Sequence, residues 1–176
     1  SGPEAPRIAL LPGSRPAEIR ACFPILLDAY RRLSKDFPST LGLVAATTPH
    51  VADTVRSLAE QKAGWPDSLA IATGKTDAVV HWADYALVVS GTVTLQIARH
   101  GTPMVPVYRP NRLMYHLLGR WIVATRVFTL PNLIAGRPIL REFIPHFSDG
   151  EPLALEVIRH HRLIETFLLS HLDYGW

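Results

Sequence analysis

The chain has 176 residues, of which 48% are hydrophobic, and this length suits one domain with a sizeable core. No segment approaches the roughly 18 uninterrupted apolar residues of a membrane-spanning helix, and the single cysteine, Cys22, excludes an internal disulfide. We therefore expect a cytoplasmic protein, soluble or peripheral to a membrane, in which Cys22 is a small buried apolar side chain.

The net charge of +3 is distributed unevenly along the chain. The segment from Tyr85 to Arg141 contains seven arginines and no acidic residue, so its formal charge is +7, whereas the rest of the chain sums to −4. Arginine is the cation whose planar fork pairs best with phosphate oxygens. The pattern indicates an anionic partner, and a solvated basic face remains the alternative.

Apolar runs and helical periodicity alternate along the first 108 residues. The predicted strands are Arg7–Leu11, Leu41–Ala46, Leu69–Ala72, Tyr85–Val89 and Met104–Tyr108. The predicted helices between them are Ala17–Phe37, Pro49–Lys62, Thr76–Trp82 and Thr92–His100. Because the strands are apolar throughout instead of alternating, we expect a parallel sheet that is covered by helices on both faces, which is a doubly wound α/β domain.

The carboxyl-terminal part is predicted to contain two more helices around an irregular stretch from Thr125 to Pro138. The first helix, Asn111–Val123, is amphipathic and rich in arginine, so it suits an anionic membrane surface, and packing on the core is the alternative. The second, Pro152–His171, has an apolar face, and a homodimer through this helix is expected.

Two loops of the predicted sheet have the composition of phosphate-binding loops. Pro12-Gly13-Ser14-Arg15 follows the first strand, and Ser90-Gly91-Thr92 follows the fourth. In a doubly wound sheet, ligands bind beyond the carboxyl ends of the strands, where glycine permits close approach and a helix begins with free amide groups. Ordinary helix capping by the serine and threonine side chains is the alternative.

Several signatures of other enzymes are absent from the sequence. It has no Gly-x-Gly-x-x-Gly run, no Walker lysine loop, no Asp-x-Asp metal pair and no Cys-x-x-Cys pair, and its eight histidines are scattered. We therefore expect no metal, no cofactor and no nucleic-acid partner.

Four segments carry a family resemblance in their order and spacing. They are Leu11-Pro12-Gly13-Ser14-Arg15-Pro16-Ala17-Glu18-Ile19, Ser90-Gly91-Thr92-Val93-Thr94-Leu95, Pro103-Met104-Val105 with Tyr108-Arg109, and Leu130-Pro131-Asn132-Leu133-Ile134-Ala135-Gly136-Arg137. Together they resemble the carboxyl-terminal half of lipid A disaccharide synthases. The likeness spans residues 7 to 147, and its last segment argues against other UDP-sugar enzymes of the same fold, such as relatives of the peptidoglycan glycosyltransferase or the UDP-N-acetylglucosamine epimerase.

The resemblance implies the Rossmann-like, carboxyl-terminal half of a glycosyltransferase of the GT-B fold. Residues 1–176 would form one UDP-binding domain, and the amino-terminal acceptor domain would be absent from this chain, so that the chain alone should be inactive. The implied reaction is a metal-independent, inverting transfer of 2,3-diacylglucosamine from UDP to 2,3-diacylglucosamine 1-phosphate. UDP-2,3-diacylglucosamine and the lipid acceptor are the expected partners, at the inner face of the membrane.

The resemblance also implies roles for particular residues. Arg15 and Asn132 are the catalytic candidates. The substrate-binding candidates are Gly13, Ser14, Gly74, Lys75, Thr76, Ser90, Gly91, Thr92, Gln96, Tyr108, Arg109, Arg137 and Glu142. Within this set, Gly74-Lys75-Thr76 would hold the uracil, whereas Asn132, Arg137 and Glu142 would shape the sugar and diphosphate pocket. Asn132 could equally be a turn former.

Gln96 departs from the family pattern, which usually has a glutamate there to bind the ribose hydroxyls. The neutral amide loses the charge-assisted hydrogen bond, so we expect weaker donor binding and a gain in UDP affinity when glutamate is introduced. The same departure motivates the alternative function, a catalytically inactive module that binds UDP-sugars or serves as a scaffold.

Overall fold

The computed structural model describes residues 5–62, 64–110 and 128–172, with the side chains of residues 167–172 excepted. The strands are β1 Arg7–Leu11, β2 Leu41–Ala46, β3 Leu69–Thr73, β4 Tyr85–Val89 and β5 Met104–Val107. The helices are α1 Pro16–Asp36, α2 Pro49–Glu60, α3 Thr76–Trp82, α4 Val93–His100, α5 Leu130–Ala135 and α6 Glu151–Leu172.

The five strands form one parallel sheet in the order β3-β2-β1-β4-β5. The chain runs outward from β1 through β2 to β3, and then returns to the other side of β1 to place β4 and β5. The predicted doubly wound α/β class and the five strands are therefore confirmed, with strand ends that differ by one residue at β3 and β5.

Helices cover both faces of the sheet, which explains why its strands are apolar throughout. Alternate residues of a strand point to opposite faces: Ile8 and Leu10 pack in one cluster with α1, α2 and α6, whereas Ala9 and Leu11 pack in the other with α3 and α4. All four side chains are at most 3% exposed. Cys22 is fully buried within α1, as predicted, and burial raises the pKa of its thiol.

The carboxyl-terminal part differs from the prediction at one element. Helix α5 lies within the stretch that the sequence predicts to be irregular. This helix has only six residues, with Pro131 near its start and Gly136 in the left-handed conformation after its end, so its apolar periodicity is too short to recognise. The predicted helix Asn111–Val123 lies outside the described residues.

Candidate functional site

An open cleft of about 460 Å³ lies at the carboxyl ends of the strands. It sits between β1 and β4, where Leu11 is paired with Val88. The direction of strand addition reverses there, because β2 and β3 lie on one side of β1 whereas β4 and β5 lie on the other. The loops that follow these two strands diverge to opposite faces of the sheet and leave a crevice between them. Its described lining consists of Leu11, Gly13, Ser14, Arg15, Glu18, Ala45, Thr47, Thr76, Val89, Ser90, Gly91, Thr92, Val93 and Gln96.

The loop after β1 turns at Gly13 and opens directly into α1. Gly13 has a φ of +87°, a conformation that side chains disfavour. Arg15 is extended and immediately precedes the helix, and Pro16 occupies the first helical position, where its missing N–H costs nothing. Within the described ranges, the backbone N–H groups of Ala17 and Glu18 have no acceptor. The loop therefore presents free donors at a helix start.

Arg15 forms an ion pair with Glu18 across the first turn of α1. Its Nη1 lies 2.9 Å from Glu18 Oε1, and the side chain of Arg15 is 79% exposed whereas that of Glu18 is 18% exposed. The hydrogen bond to Glu18, together with the charge of Glu18, raises the pKa of Arg15. Arg15 is therefore a permanent cation at the cleft. Glu18 holds one side of its guanidinium group, and the exposed remainder is accessible to an anion.

The second loop, Ser90-Gly91-Thr92, is fixed to the sheet at one end and to α4 at the other. Ser90 donates its N–H to the Val107 carbonyl of β5 at 2.9 Å, and the Thr94 hydroxyl donates to the Gly91 carbonyl at 2.7 Å. Thr92 makes no side-chain cap on α4, so the capping interpretation is wrong for this residue. The free N–H groups of the described residues here belong to Gly91, Thr92 and Val93.

Glycine at position 91 keeps the cleft accessible rather than relieving backbone strain. A Cβ added to Gly91 would have its nearest neighbour, the Val89 carbonyl oxygen, at 4.0 Å. A side chain would therefore fit there, but it would occupy space in the cleft that Gly91 lines. The loop lies at a helix start, as the sequence predicts, and phosphate binding by its residues stays a prediction.

Only part of the third predicted loop reaches the cleft. Thr76 lines it, as does Gln96 from α4. Gly74 donates its N–H to the Ala46 carbonyl at 2.8 Å, and Gly74 and Lys75 are exposed outside the described lining. Their predicted contact with uracil stays a prediction.

Asn132 is buried, at 1% exposure, and its amide is fully occupied by protein groups. Its Nδ2 donates to the Leu140 carbonyl and to Glu142 Oε1, and its Oδ1 accepts from the N–H groups of Ile139 and Leu140. These four hydrogen bonds use the hydrogen-bonding capacity of the side chain. The described geometry gives Asn132 a structural role, so its predicted part in catalysis stays a prediction.

Glu142 completes the same network from the other side of the segment. It accepts hydrogen bonds from the N–H groups of Phe128 and Thr129, from the Thr129 hydroxyl and from Asn132. Burial raises the pKa of this carboxyl, but the hydrogen bonds outweigh it and the net pKa is lowered. Glu142 therefore anchors the two residues that precede α5, and it does not line the cleft.

The remaining predicted residues do not belong to the described lining of the cleft. Tyr108 is tied through its backbone to Phe143 and His146, at 3.1 and 2.9 Å, and burial raises the pKa of its hydroxyl. Arg109 is half-buried near α1, and Arg137 is exposed after α5. Their roles in substrate binding remain predictions.

The sequence interpretation gave no role to two polar residues of the cleft, Glu18 and Thr47. Glu18 lies three positions after Arg15, the spacing at which helical side chains meet, so the pair was recognisable in principle. Thr47 directly follows β2, which pairs with β1, and could have been found by the same strand-end rule as the two loops.

Two features are absent from the part of the chain that the structure describes. None of the helices in residues 5–62, 64–110 and 128–172 is long and apolar enough to cross a membrane. In the same ranges, no three histidine, cysteine, aspartate or glutamate side chains are grouped so that they could hold a metal ion.

Known proteins of one family resemble this chain over most of its length. The family model described as lipid-A-disaccharide synthetase matches residues 2–163. The lipid-A-disaccharide synthase of Solibacter usitatus is 35% identical over 156 residues, which cover 89% of this chain and 39% of that protein. The synthase of Syntrophus aciditrophicus is 35% identical, with 86% of this chain and 39% of the relative covered. The synthase of Psychromonas ingrahamii is 32% identical, with 96% of this chain and 45% of the relative covered.

The chain thus spans about two fifths of the length of the relatives it matches. The matched region includes both cleft loops and the segment that contains Asn132 and Glu142. On this evidence the chain belongs to the lipid-A-disaccharide synthase family.

Proposed function

We propose that this chain is the donor-binding part of a lipid A disaccharide synthase and that its cleft holds the UDP of the sugar nucleotide. The observation that carries the proposal is the pair of loops at the switch point. Gly91, Thr92 and Val93, whose N–H groups are free among the described residues, line a single cleft together with Arg15 of the other loop. Backbone donors at a helix start and a planar cation are the groups that bind diphosphates.

The same groups suit the chemistry of transfer. Breaking the bond between the sugar and the diphosphate places negative charge on the departing UDP, and fixed donors stabilise charge that develops in the transition state. Arg15 carries the charge opposite to that of the leaving group, and the N–H groups of Gly91, Thr92 and Val93 have no acceptor among the described residues. The proposed donor is UDP-2,3-diacylglucosamine and the proposed acceptor is 2,3-diacylglucosamine 1-phosphate, with inversion at the transferred sugar.

Calorimetric titration of the chain with UDP tests the binding step. We expect saturable binding, and Arg15→Ala should weaken it by about tenfold or more, because a charge-assisted hydrogen bond contributes roughly 1.5–3 kcal/mol. Arg20→Ala is the matched control, since Arg20 is an exposed cation on the same helix outside the cleft lining. Absence of binding at millimolar UDP would refute the proposal.

A module that binds UDP-sugars without transferring them is the second candidate, and it is favoured by Gln96 at a position where the family usually has glutamate. Both candidates predict UDP binding by this chain. They differ for the protein extended to the length of its relatives: the synthase releases UDP only when donor and acceptor are both present, whereas the binding module releases none.

We further propose that the protein acts at the inner face of the membrane and forms a homodimer through α6. The lipid character of the proposed substrates supports the first statement. The second is supported by Leu155 and Leu163 on α6, which are 56% and 57% exposed. Co-sedimentation that is unaffected by anionic lipid would contradict membrane binding, and light scattering that shows only monomer would contradict the dimer.

A further inference from the structure

Asp77 and Gln96 form a hydrogen-bonded pair at the edge of the cleft. Asp77 lies in the first turn of α3 and Gln96 in the first turns of α4. The Gln96 Nε2 donates to Asp77 Oδ1 at 2.5 Å, and His100 Nε2 lies 3.2 Å from the same oxygen. Gln96 lines the cleft, whereas Asp77 does not belong to the described lining.

The chemistry of this pair fixes the orientation of the Gln96 amide. An ionised carboxylate only accepts hydrogen bonds, so the NH2 end of the amide must face it. The hydrogen bonds from Gln96 and His100 lower the pKa of Asp77, which keeps it ionised near neutral pH. Among the described residues nothing donates to the other end of the amide, the carbonyl oxygen Oε1 of Gln96.

We propose that Asp77 is a positioning residue that locks the Gln96 amide so that its carbonyl oxygen accepts hydrogen bonds from ligand hydroxyls in the cleft. A glutamine without such a partner can present either its oxygen or its NH2 group. With Asp77 in place, the amide is held in one orientation: one N–H of Nε2 is used by Asp77, and Oε1 has no donor among the described residues. The site then selects ligands that bring a hydroxyl donor, such as the vicinal hydroxyls of a ribose.

This pair changes the expected effect of a glutamate at position 96. Gln96→Glu would place two carboxylates at the separation of the present hydrogen bond, where like charges repel. The substitution should therefore weaken ligand binding, contrary to the expectation drawn from the sequence. Asp77→Asn in the same molecule supplies an amide donor to the new carboxylate and should restore binding.

The inference rests on the proposed binding of UDP. Calorimetric titration with three ligands tests the positioning role of Asp77 separately from UDP binding. UDP, 2′,3′-dideoxy-UDP and inorganic pyrophosphate are titrated into the wild-type chain and into Asp77→Asn, Gln96→Glu and the double variant. In the wild type we expect UDP to bind about fivefold to tenfold more tightly than the dideoxy analogue, the range of one net hydrogen bond.

Asp77→Asn should reduce that preference to about twofold or less, because an asparagine can present either its oxygen or its NH2 group to Gln96 and no longer fixes the amide orientation. Pyrophosphate affinity should stay unchanged, because the phosphate loops are intact. Gln96→Glu should lower UDP affinity by roughly tenfold, with recovery in the double variant. The thermal midpoint of Asp77→Asn should match that of the wild type, since the Asp77 side chain is 70% exposed.

A wild type that does not distinguish UDP from its dideoxy analogue would overturn the positioning role. So would an Asp77→Asn variant that keeps the full preference, or a Gln96→Glu variant that binds UDP more tightly. In each of these results UDP still binds, and the proposed function survives. Failure of UDP and pyrophosphate to bind the wild type at all would instead refute the proposed function.

Discussion

The Nδ2 of Asn132 lies 2.7 Å from Oε1 of Glu142, and this hydrogen bond joins the two ends of the segment that contains α5. Asn132 holds the backbone of Ile139 and Leu140 on one side, and Glu142 holds the backbone of Phe128 and Thr129 on the other. The two side chains replace the regular hydrogen bonding that such an irregular segment lacks. Helix α5 in turn packs against α4, which begins at the cleft.

Asn132→Ala is expected to destabilise the chain by about 3 kcal/mol, because it removes four hydrogen bonds and leaves buried polar groups of the segment without partners. Chemical denaturation with urea measures the change. Leu133→Ala is the control on the same helix: Leu133 is 52% exposed, and its truncation should change stability by less than about 0.5 kcal/mol. An Asn132→Ala chain with wild-type stability and lost UDP binding would instead indicate direct contact with the donor.

The hydrogen bonds to Glu142 should make stability depend on pH in the acidic range. The folded pKa of Glu142 is lowered below its ordinary value of 4.5. The resulting stabilisation is complete above the unfolded pKa and is lost as the pH falls through the folded pKa. Urea denaturation of the wild type and of Glu142→Gln, from neutral pH to about pH 3, measures the free energy of unfolding of each chain. The difference between the two free energies should be largest near neutrality and shrink below about pH 4.

The comparison with Glu142→Gln isolates one carboxyl among several. The pKa of Glu156 is also lowered, chiefly by its hydrogen bond with Arg159, and therefore contributes to acid unfolding in both chains. Subtracting the two stability curves removes that shared contribution. A difference that stays constant across the whole range would show that ionisation of Glu142 does not contribute.

The strands and the two cleft loops could be predicted because their signals are local. A fully apolar run such as Tyr85–Val89 has few alternatives to a buried parallel strand, and the strand-end rule then places Gly13 and Gly91 at one edge. The long helices were equally recognisable from their periodicity. The observed helix ends differ from the predicted ends by one or two residues, since capping geometry decides where a helix begins and ends.

The hydrogen-bonded pairs that organise the site could not be predicted in this way. Asp77 and Gln96 are 19 positions apart on two helices, and Asn132 and Glu142 are 10 positions apart across an irregular segment. Both pairs depend on how the elements pack in three dimensions. The motif that contains Asn132 identified the family correctly, but it did not reveal that the amide is directed into the protein.

Gly150 is expected to tolerate no larger residue, because it lies against the backbone of α1. Its N–H donates to Asp28 Oδ2 at 2.8 Å, and an added Cβ would come within 2.6 Å of the Ile25 carbonyl oxygen. Gly150→Ala should therefore push α6 away from α1 and destabilise the chain by about 3 kcal/mol. Thermal unfolding measures the loss, with Ser148→Ala, an exposed change in the same loop, as the control. Equal midpoints for the two variants would contradict the close packing.

Gly13 combines a positive φ with a place in the cleft, and the two contributions can be separated. An added Cβ would find ordinary contact distances, 3.6 Å to Glu18 Oε2 and 3.8 Å to Val89 Cβ, so the expected cost of Gly13→Ala is conformational, about 1–2 kcal/mol. Because this methyl group also lines the proposed UDP site, we expect UDP affinity to fall at least about threefold, which corresponds to roughly 0.7 kcal/mol or more of binding free energy.

Gly64→Ala provides the matched control for Gly13→Ala. Gly64 has a φ of +77° with no atom of the described residues within 4 Å of an added Cβ, and it lies outside the described lining of the cleft. It should therefore lose similar stability in urea denaturation while it binds UDP as the wild type does. If both variants lose the same stability and bind UDP equally well, Gly13 is needed only for the backbone turn and does not contribute to UDP binding. A selective loss of UDP affinity in Gly13→Ala assigns the loop after β1 to the ligand, because the conformational cost is common to both chains.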